Sequence, residues 1–563
     1  MAGAERNKNF EATYLGNGYK KPSGKALVLL FALVAFSVLA YNVSSGRSAV
    51  KLISNKATTA KLDNVIVQNK SYPHLGSRSK KILVIGSSVF PPTLDPTANA
   101  AQAIDEVIDY NVLQHLVELA PNGTIIPILA SKWTVSKNGM TYTFTIRPNV
   151  HFSNGDLLTP QDVVFSIDRV LHDSAYPYRD IFDVKSAHVA SKNQVVVQLI
   201  EKSWSFLFDM AAYSNGVILD PATIKSLATD PIGTGPYVVD GEVNNYSISL
   251  GLNHRYFGAL PNVGGVEFRY FTNPSAEDAA LETGQINVID SLATPTDASL
   301  FSSNHRKYVL ISGLSNGKVQ LTINNAVGPF RNKLVREALE YGIDKQQVMD
   351  IAAGGKSIVI GTDSVPADPY YINLANYYQY NISKARALLN QAGYPNGFST
   401  TLTLPPYYYA QLAGPAIQEE LAQIGITVHI KQVAWPLWLS QVFEGGDFDL
   451  TIIDHAEARD VGNYANTKYY WHFADAAQVA KQLASANAAP TKQGWIAGMH
   501  KILKEITADA VNVWLYVLPV MEVHDKGIIG LPKYGYSESF DLTHVSYGGK
   551  LAKNLIKEGY SPR

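Results

Sequence analysis

Four runs taken in order decide the fold: Ser399-Thr400-Thr401-Leu402-Thr403-Leu404, Pro415 to Ile424, Ile426-Thr427-Val428-His429-Ile430-Lys431-Gln432-Val433, and Phe448-Asp449-Leu450-Thr451-Ile452-Ile453. The first, third and fourth read as strands and the second as a helix. Strand, helix and strand in this order predict right-handed parallel units, and hence an α/β fold. Upstream, Ser383 opens a helix containing Ala385, Leu388 and Leu389, and Gly393 stops it. Tyr142, Phe144 and Ile146 alternate with Thr141, Thr143 and Thr145, the pattern of a half-buried strand. Asn154-Gly155 marks a turn. Thr159-Pro160-Gln161-Asp162 then starts a helix with a Thr cap, Pro at its first position and an acid at its third. Val163, Ile167 and Val170 form its inward stripe. Ordered structure is expected from Lys81, where Ile82-Leu83-Val84-Ile85 gives a buried strand.

The 563 residues suffice for several domains, and 46 % apolar against 17 % charged residues excludes global disorder. The chain has no cysteine, which excludes disulfides, thiolate-bound metals, a cysteine nucleophile and a lipid-modified N-terminal cysteine. Net charge is -1, but residues 1–80 hold 12 Lys/Arg and 3 Asp/Glu, and the remaining 35 Lys/Arg and 45 Asp/Glu make the body acidic. An acidic body argues against nucleic acid as a partner. No repeat of 20–50 residues is present, which removes solenoids and propellers.

Lys20, Lys21 and Lys25 precede an uncharged apolar run, Ala26 to Tyr41. Its 16 residues would make about 24 Å of helix, between a signal-peptide core and a spanning anchor. The positive-inside rule places all that follows outside the cytoplasm. Val38-Leu39-Ala40 offers a cleavage site, so anchoring and secretion both remain open. Residues 42–80, rich in Ser, Lys, Asn and Thr, read as a flexible tether.

Three catalytic-looking patterns fail on context. Gly313-Leu314-Ser315-Asn316-Gly317 matches a nucleophile elbow, but an alternating strand, Lys318 to Ile323, follows where a helix is required. Gly355-Lys356-Ser357 resembles the end of a phosphate loop, yet Asp350 holds the first glycine position. His455, Glu457, Asp460 and His472 match no standard zinc spacing and read as polar loop residues lining a cleft. No catalytic residue, metal or cofactor is expected.

Residues 129–170, from Leu129-Ala130-Ser131-Lys132-Trp133 through Asp162-Val163-Val164-Phe165-Ser166, resemble the signature of the family 5 extracellular solute-binding proteins. These feed peptide-type ABC importers. Leu94-Asp95-Pro96, Asn111 and Leu116-Val117-Glu118 resemble the family's entry segment. Gly233-Thr234-Gly235-Pro236-Tyr237, then Asn253-His254-Arg255-Tyr256-Phe257-Gly258 with Phe257 in place of Trp, resemble its next motifs. Val335 to Leu339 with Ile343-Asp344, Ala385 to Pro395, and Leu421 to Ile426 continue the match in family order. The resemblance implies a two-lobed, periplasmic-binding-protein-like (Venus-flytrap) α/β fold with an extra domain in the first lobe. The expected limits are a basic cytoplasmic tail over 1–25, the signal or anchor segment over 26–41 and the linker over 42–80. Lobe I takes 81–121, 206–305 and 528–563, the extra domain 122–205, and lobe II 306–527.

The resemblance further implies a monomeric, non-enzymatic protein at the outer face of the membrane. It would capture short peptides by lobe closure and deliver them to a permease. Another solute (an oligosaccharide, a nickel chelate, an opine-like compound) and a surface interaction protein on the same fold remain open. In peptide binders an acid in Gly-Trp-x-x-Asp pairs with the ligand's amino terminus; here Ala458 stands at that position. Asp454, Glu457 and Asp460 can meet an ammonium group, and Arg459 and His455 a carboxylate. Trp435, Trp438 and Tyr516 either face ligand or pack in the core. Asn316 and Gly317 either pair with ligand through their backbone or form a surface turn.

Overall fold

The structure, a computed structural model, describes residues 81–99, 101–174, 176, 182–292 and 294–562. The tail, apolar run and tether expected before Lys81 lie outside these residues. Among the described residues no helix is long and apolar enough to cross a membrane.

Two long strands, Tyr308–Ile323 and Val513–Asp525, form the spine of the molecule. They pair antiparallel from Tyr308 against Asp525 to Leu321 against Val513, with the register broken between Leu314 and Lys318. A ten-stranded sheet extends from both sides of this spine. On one side lie Leu450–His455, Phe398–Leu404 and Ile426–Gln432, the last two parallel to one another and the first parallel to Phe398–Leu404. The parallel units expected from the sequence are therefore present. On the other side lie Val288–Ile289, Leu83–Ser87, Val266–Tyr270, Ser247–Leu252 and Tyr237–Val243. Each half has its own core: Leu402, Ile417, Leu421 and Leu450 belong to one, Leu83, Ile85, Leu250 and Phe268 to the other.

A separate four-stranded antiparallel sheet is ordered Ala130–Val135, Thr141–Ile146, Gln194–Leu199, Val184–Ser191. The helix Pro160–His172 lies against it, with Val163, Ile167 and Val170 fully buried as the stripe predicts. Its start is closed by Asp162, whose carboxylate accepts the Thr159 N–H at 2.7 Å and the Thr159 hydroxyl at 2.8 Å. Asp162→Ala is expected to lower the unfolding free energy by about 1 kcal/mol, measured by chemical denaturation.

Several boundaries differ from the sequence reading, three of them for identifiable reasons. The helix expected from Ser383 runs Ile382–Gln391, because the Asn381 side chain accepts the Lys384 N–H at 2.9 Å and caps it earlier. The helix expected from Pro415 runs Tyr408–Gln423, with Pro415 inside it. The strand expected over Phe448–Ile453 runs Leu450–His455, so Asp454 and His455 are strand residues paired with Val319 and Lys318. Gly313, in the false nucleophile elbow, lies within the long strand where the chain at Lys533 crosses it. A Cβ there would sit 1.7 Å from the Lys533 carbonyl oxygen, so only glycine fits.

Candidate functional site

The parallel strands of the second lobe end at Leu404, Gln432 and His455, and their carboxyl edge is where open α/β sheets bind ligands. Lys318 lies at this edge, paired across the ladder with His455 and buried to 2 % exposure. Its Nζ stands 2.8 Å from Asp460 Oδ1 and donates to the Glu457 carbonyl at 2.8 Å and the Asn316 carbonyl at 3.2 Å. Burial alone would lower its pKa, but the charges of Asp460 and Asp363 outweigh it and hold the ammonium above the usual lysine range. Asp363, also buried, is driven well above the usual carboxylate range by burial and then by Asp460, against the pull of Lys318.

His455 is hydrogen-bonded through Nε2 to the Tyr470 hydroxyl at 2.9 Å, and its Nδ1 faces Glu457 Oε2 at 3.7 Å and Asp460 Oδ2 at 4.0 Å. Burial raises the Glu457 carboxyl, but pairing with His455 prevails and holds it down at about 2. Asp454 is pushed up to about 7 by burial, against the pull of Lys318 and His455. His455, Glu457 and Asp460 can bring ligand atoms within 4.8 Å of one another, as a metal site does. The Lys318 ammonium beside Asp460 would repel a divalent ion there.

Arg459 takes φ 59°, a left-handed turn that separates Asp460, directed at Lys318, from the Arg459 guanidinium. That group lies 3.6 Å from the ring centre of Phe208, on the helix Phe206–Ala212 of the opposite lobe. Next to Phe208, Asp209 accepts from the Ser205 hydroxyl at 3.0 Å. Burial, opposed by Arg459, pushes Asp209 up to about 7. Ala458 packs against the same core as Phe208. At the rim, Lys202 Nζ donates to the carbonyls of Ala489 at 2.8 Å and Pro490 at 3.0 Å, while Trp204 stacks on Trp495. The lobes thus touch across the cleft. Arg459 makes no ion pair among the described residues.

The other expected site residues divide. Asn316 donates its side-chain amide to the Tyr536 carbonyl at 3.1 Å. Gly317 backs onto Asp454, where a Cβ would fall 2.5 Å from Oδ1. Trp435 is half-buried and stacks on Trp438, while Trp438 lies in the core with its indole N–H donating to Thr451 Oγ1 at 2.9 Å. Tyr516 is fully buried and its hydroxyl has no hydrogen-bond partner among the described residues. His472 lies apart, beside Gly446. Sequence reasoning missed Lys318, Asp363, Phe208 and Asp209. The one available signal was a lysine in a strand whose neighbours are all apolar or uncharged.

Residues 124–478, more than half of the chain, match the model of the bacterial extracellular solute-binding proteins, family 5 middle region. The chain belongs to that family. It is 27 % identical over 367 residues to the glutathione-binding protein of Salmonella paratyphi A, covering 64 % of this chain and 70 % of that one. It is 31 % identical over 297 residues to the nickel-binding periplasmic protein of Escherichia coli, covering 50 % of this chain and 56 % of that one. An ABC transporter substrate-binding protein of Listeria monocytogenes superposes with a TM-score of 0.76 at 18 % identity, over 84 % of this chain and 100 % of that one. The fold is the two-lobed periplasmic-binding-protein fold. Members of family 5 are solute-binding transport proteins of the extracytoplasmic side, and the solutes named for these relatives differ.

Proposed function

We propose that this chain captures a small carboxylate-bearing solute of the short-peptide class between its lobes, outside the membrane, and hands it to an ABC permease. Arg459 carries the reading. It is the cleft-facing cation without an ion-pair partner among the described residues, held at the lobe–lobe contact by Phe208. A guanidinium presents a planar fork of donors that matches a carboxylate. Closing the lobes on such a pair removes water from both groups, so the ligand's charge and the closing motion are coupled. The relative that binds glutathione, a tripeptide with two carboxylates, supports the peptide class. The apolar run Ala26–Tyr41 would hold the protein at the membrane or direct its secretion.

Calorimetry with glutathione and a set of dipeptides tests this. Arg459→Met is expected to weaken binding by roughly two to four decades, the cost of stranding a buried carboxylate. Arg459→Lys should recover only part of the loss. Binding within twofold of the parent protein in Arg459→Met would remove Arg459 from the site, and no binding by any of the peptides, with the amino end free or N-acetylated, would remove the peptide class.

A further inference from the structure

A primary ammonium has three N–H donors, and a site built for one supplies an anion and two further acceptors. That set exists at the sheet edge: the Asp460 carboxylate at 2.8 Å, the Glu457 carbonyl at 2.8 Å and the Asn316 carbonyl at 3.2 Å, all converging on one point. The chain fills that point itself, with Lys318. We propose that Lys318 is a resident occupant of the cleft's amine subsite, so the protein selects solutes that carry a carboxylate but whose amino group is acylated, substituted or absent. This rests on the reading that Arg459 takes a carboxylate in the same cleft.

The remaining acids do not reopen the subsite. Glu457 has its charge answered by His455 at 3.7 Å. Asp363 and Asp368, the other two acids that act on Lys318, are buried, and burial drives both above the usual carboxylate range. Asp454 and, on the facing wall, Asp209 are both pushed up to about 7 by burial, so neither offers a full negative charge there. A free α-ammonium entering this cleft would be desolvated beside the Lys318 charge, with the Asp460 carboxylate already paired, a cost an N-acyl group avoids. Arg459, in contrast, makes no ion pair among the described residues.

Two measurements test the proposal. The first titrates the parent protein at pH 7 with matched pairs: glutathione and N-acetylglutathione, Ala-Ala and N-acetyl-Ala-Ala. The blocked member should bind as tightly as the free one or more tightly. Tighter binding of the free member by tenfold or more overturns the proposal while leaving the carboxylate reading intact. If neither member of any pair binds, the peptide reading fails, and the second measurement alone decides the role of Lys318. It uses Lys318→Ala with methylammonium chloride as the probe and tetramethylammonium chloride, which has no N–H donor, as control. Millimolar methylammonium should raise the melting temperature of Lys318→Ala and leave the parent unchanged, with tetramethylammonium inert on both. If Lys318→Ala does not fold unaided, the yield of folded protein in the two salts reads the same property. Equal responses to the two salts would show that no ammonium receptor exists there.

Discussion

Lys318→Met is expected to lower the unfolding free energy at pH 7 by about 3–5 kcal/mol, the usual cost of breaking a buried ion pair from one side. Both side chains are almost sealed, at 2 % exposure for Lys318 and 8 % for Asp460. Methionine keeps the length of the stem and removes only the ammonium, leaving the Asp460 carboxylate and two carbonyls to face an apolar group. Adding Asp460→Asn should return much of the loss, because the stranded charge goes with it. A double-mutant cycle would then show a coupling of more than ~1 kcal/mol. The pH dependence has a definite sign. Lys318 is held above the usual lysine value in the folded protein, so its contribution is complete below about 10.4 and fades only as pH rises through the higher folded value. The parent and Lys318→Met should therefore differ by a constant amount from pH 7 to 10. A loss below ~1 kcal/mol, the range of an exposed pair, would mean that water reaches Asp460.

Why the sequence revealed the fold better than the site follows from where the information lies. The Thr159–Asp162 cap and the alternation of Thr141–Ile146 are local patterns, each decided within a dozen residues, and the parallel unit after Ser399 is a succession of such patterns. Pro415 misled because a proline usually opens a helix. Here Pro415 and Gln411 both lie on the exposed face, so the carbonyl that loses its partner is solvated. The opposite face, with Ala413, Ile417 and Leu421 fully buried, keeps the helix continuous. Lys318 misled in a different way. In Lys318-Val319-Gln320-Leu321-Thr322-Ile323 the polar residues look solvent-facing, yet all six are buried because the strand is central and both faces of the sheet are covered. Its partner Asp460 is far away in sequence, on a turn set by the left-handed Arg459, and no periodicity connects the two. The loop residues chosen for their charge, Glu457 and Asp460, do come together, but around a cation that the chain supplies. Phe208 and Asp209 reach the site from a helix of the other lobe, which only the tertiary fold brings near.

The thermal stability should fall by at least ~5 °C between pH 5.5 and pH 8.5. Several carboxyls are buried without a cation strong enough to keep them ionised. Burial pushes Asp209, Glu538 and Asp454 up to about 7, and Glu277 and Glu420 up to about 8. Burial and nearby acids raise Asp105 and Glu106 well above their usual range, Asp109 and Glu538 acting on the first and Asp290 on the second. In the unfolded chain these acids lose their protons near pH 4. Between pH 4 and 8 the folded state therefore holds more protons than the unfolded state, and stability declines as pH rises. One fully buried carboxyl moved from its ordinary value to about 7 is worth on the order of 4 kcal/mol by this linkage, less where water enters. The opposing contribution comes from Glu457, whose carboxyl is held at about 2, so its stabilisation is lost only as pH falls through that value. The maximum should thus lie near pH 5, with a shallow acid limb and a steeper alkaline one. Scanning calorimetry across pH 3–9 measures it, and Asp209→Asn, which cannot ionise, should flatten the alkaline limb. A midpoint that stays level or climbs from pH 5.5 to 8.5 would mean that these carboxyls are ionised and paired in the folded protein, which would return Asp454 and Asp209 to the cleft as anions open to a ligand's ammonium.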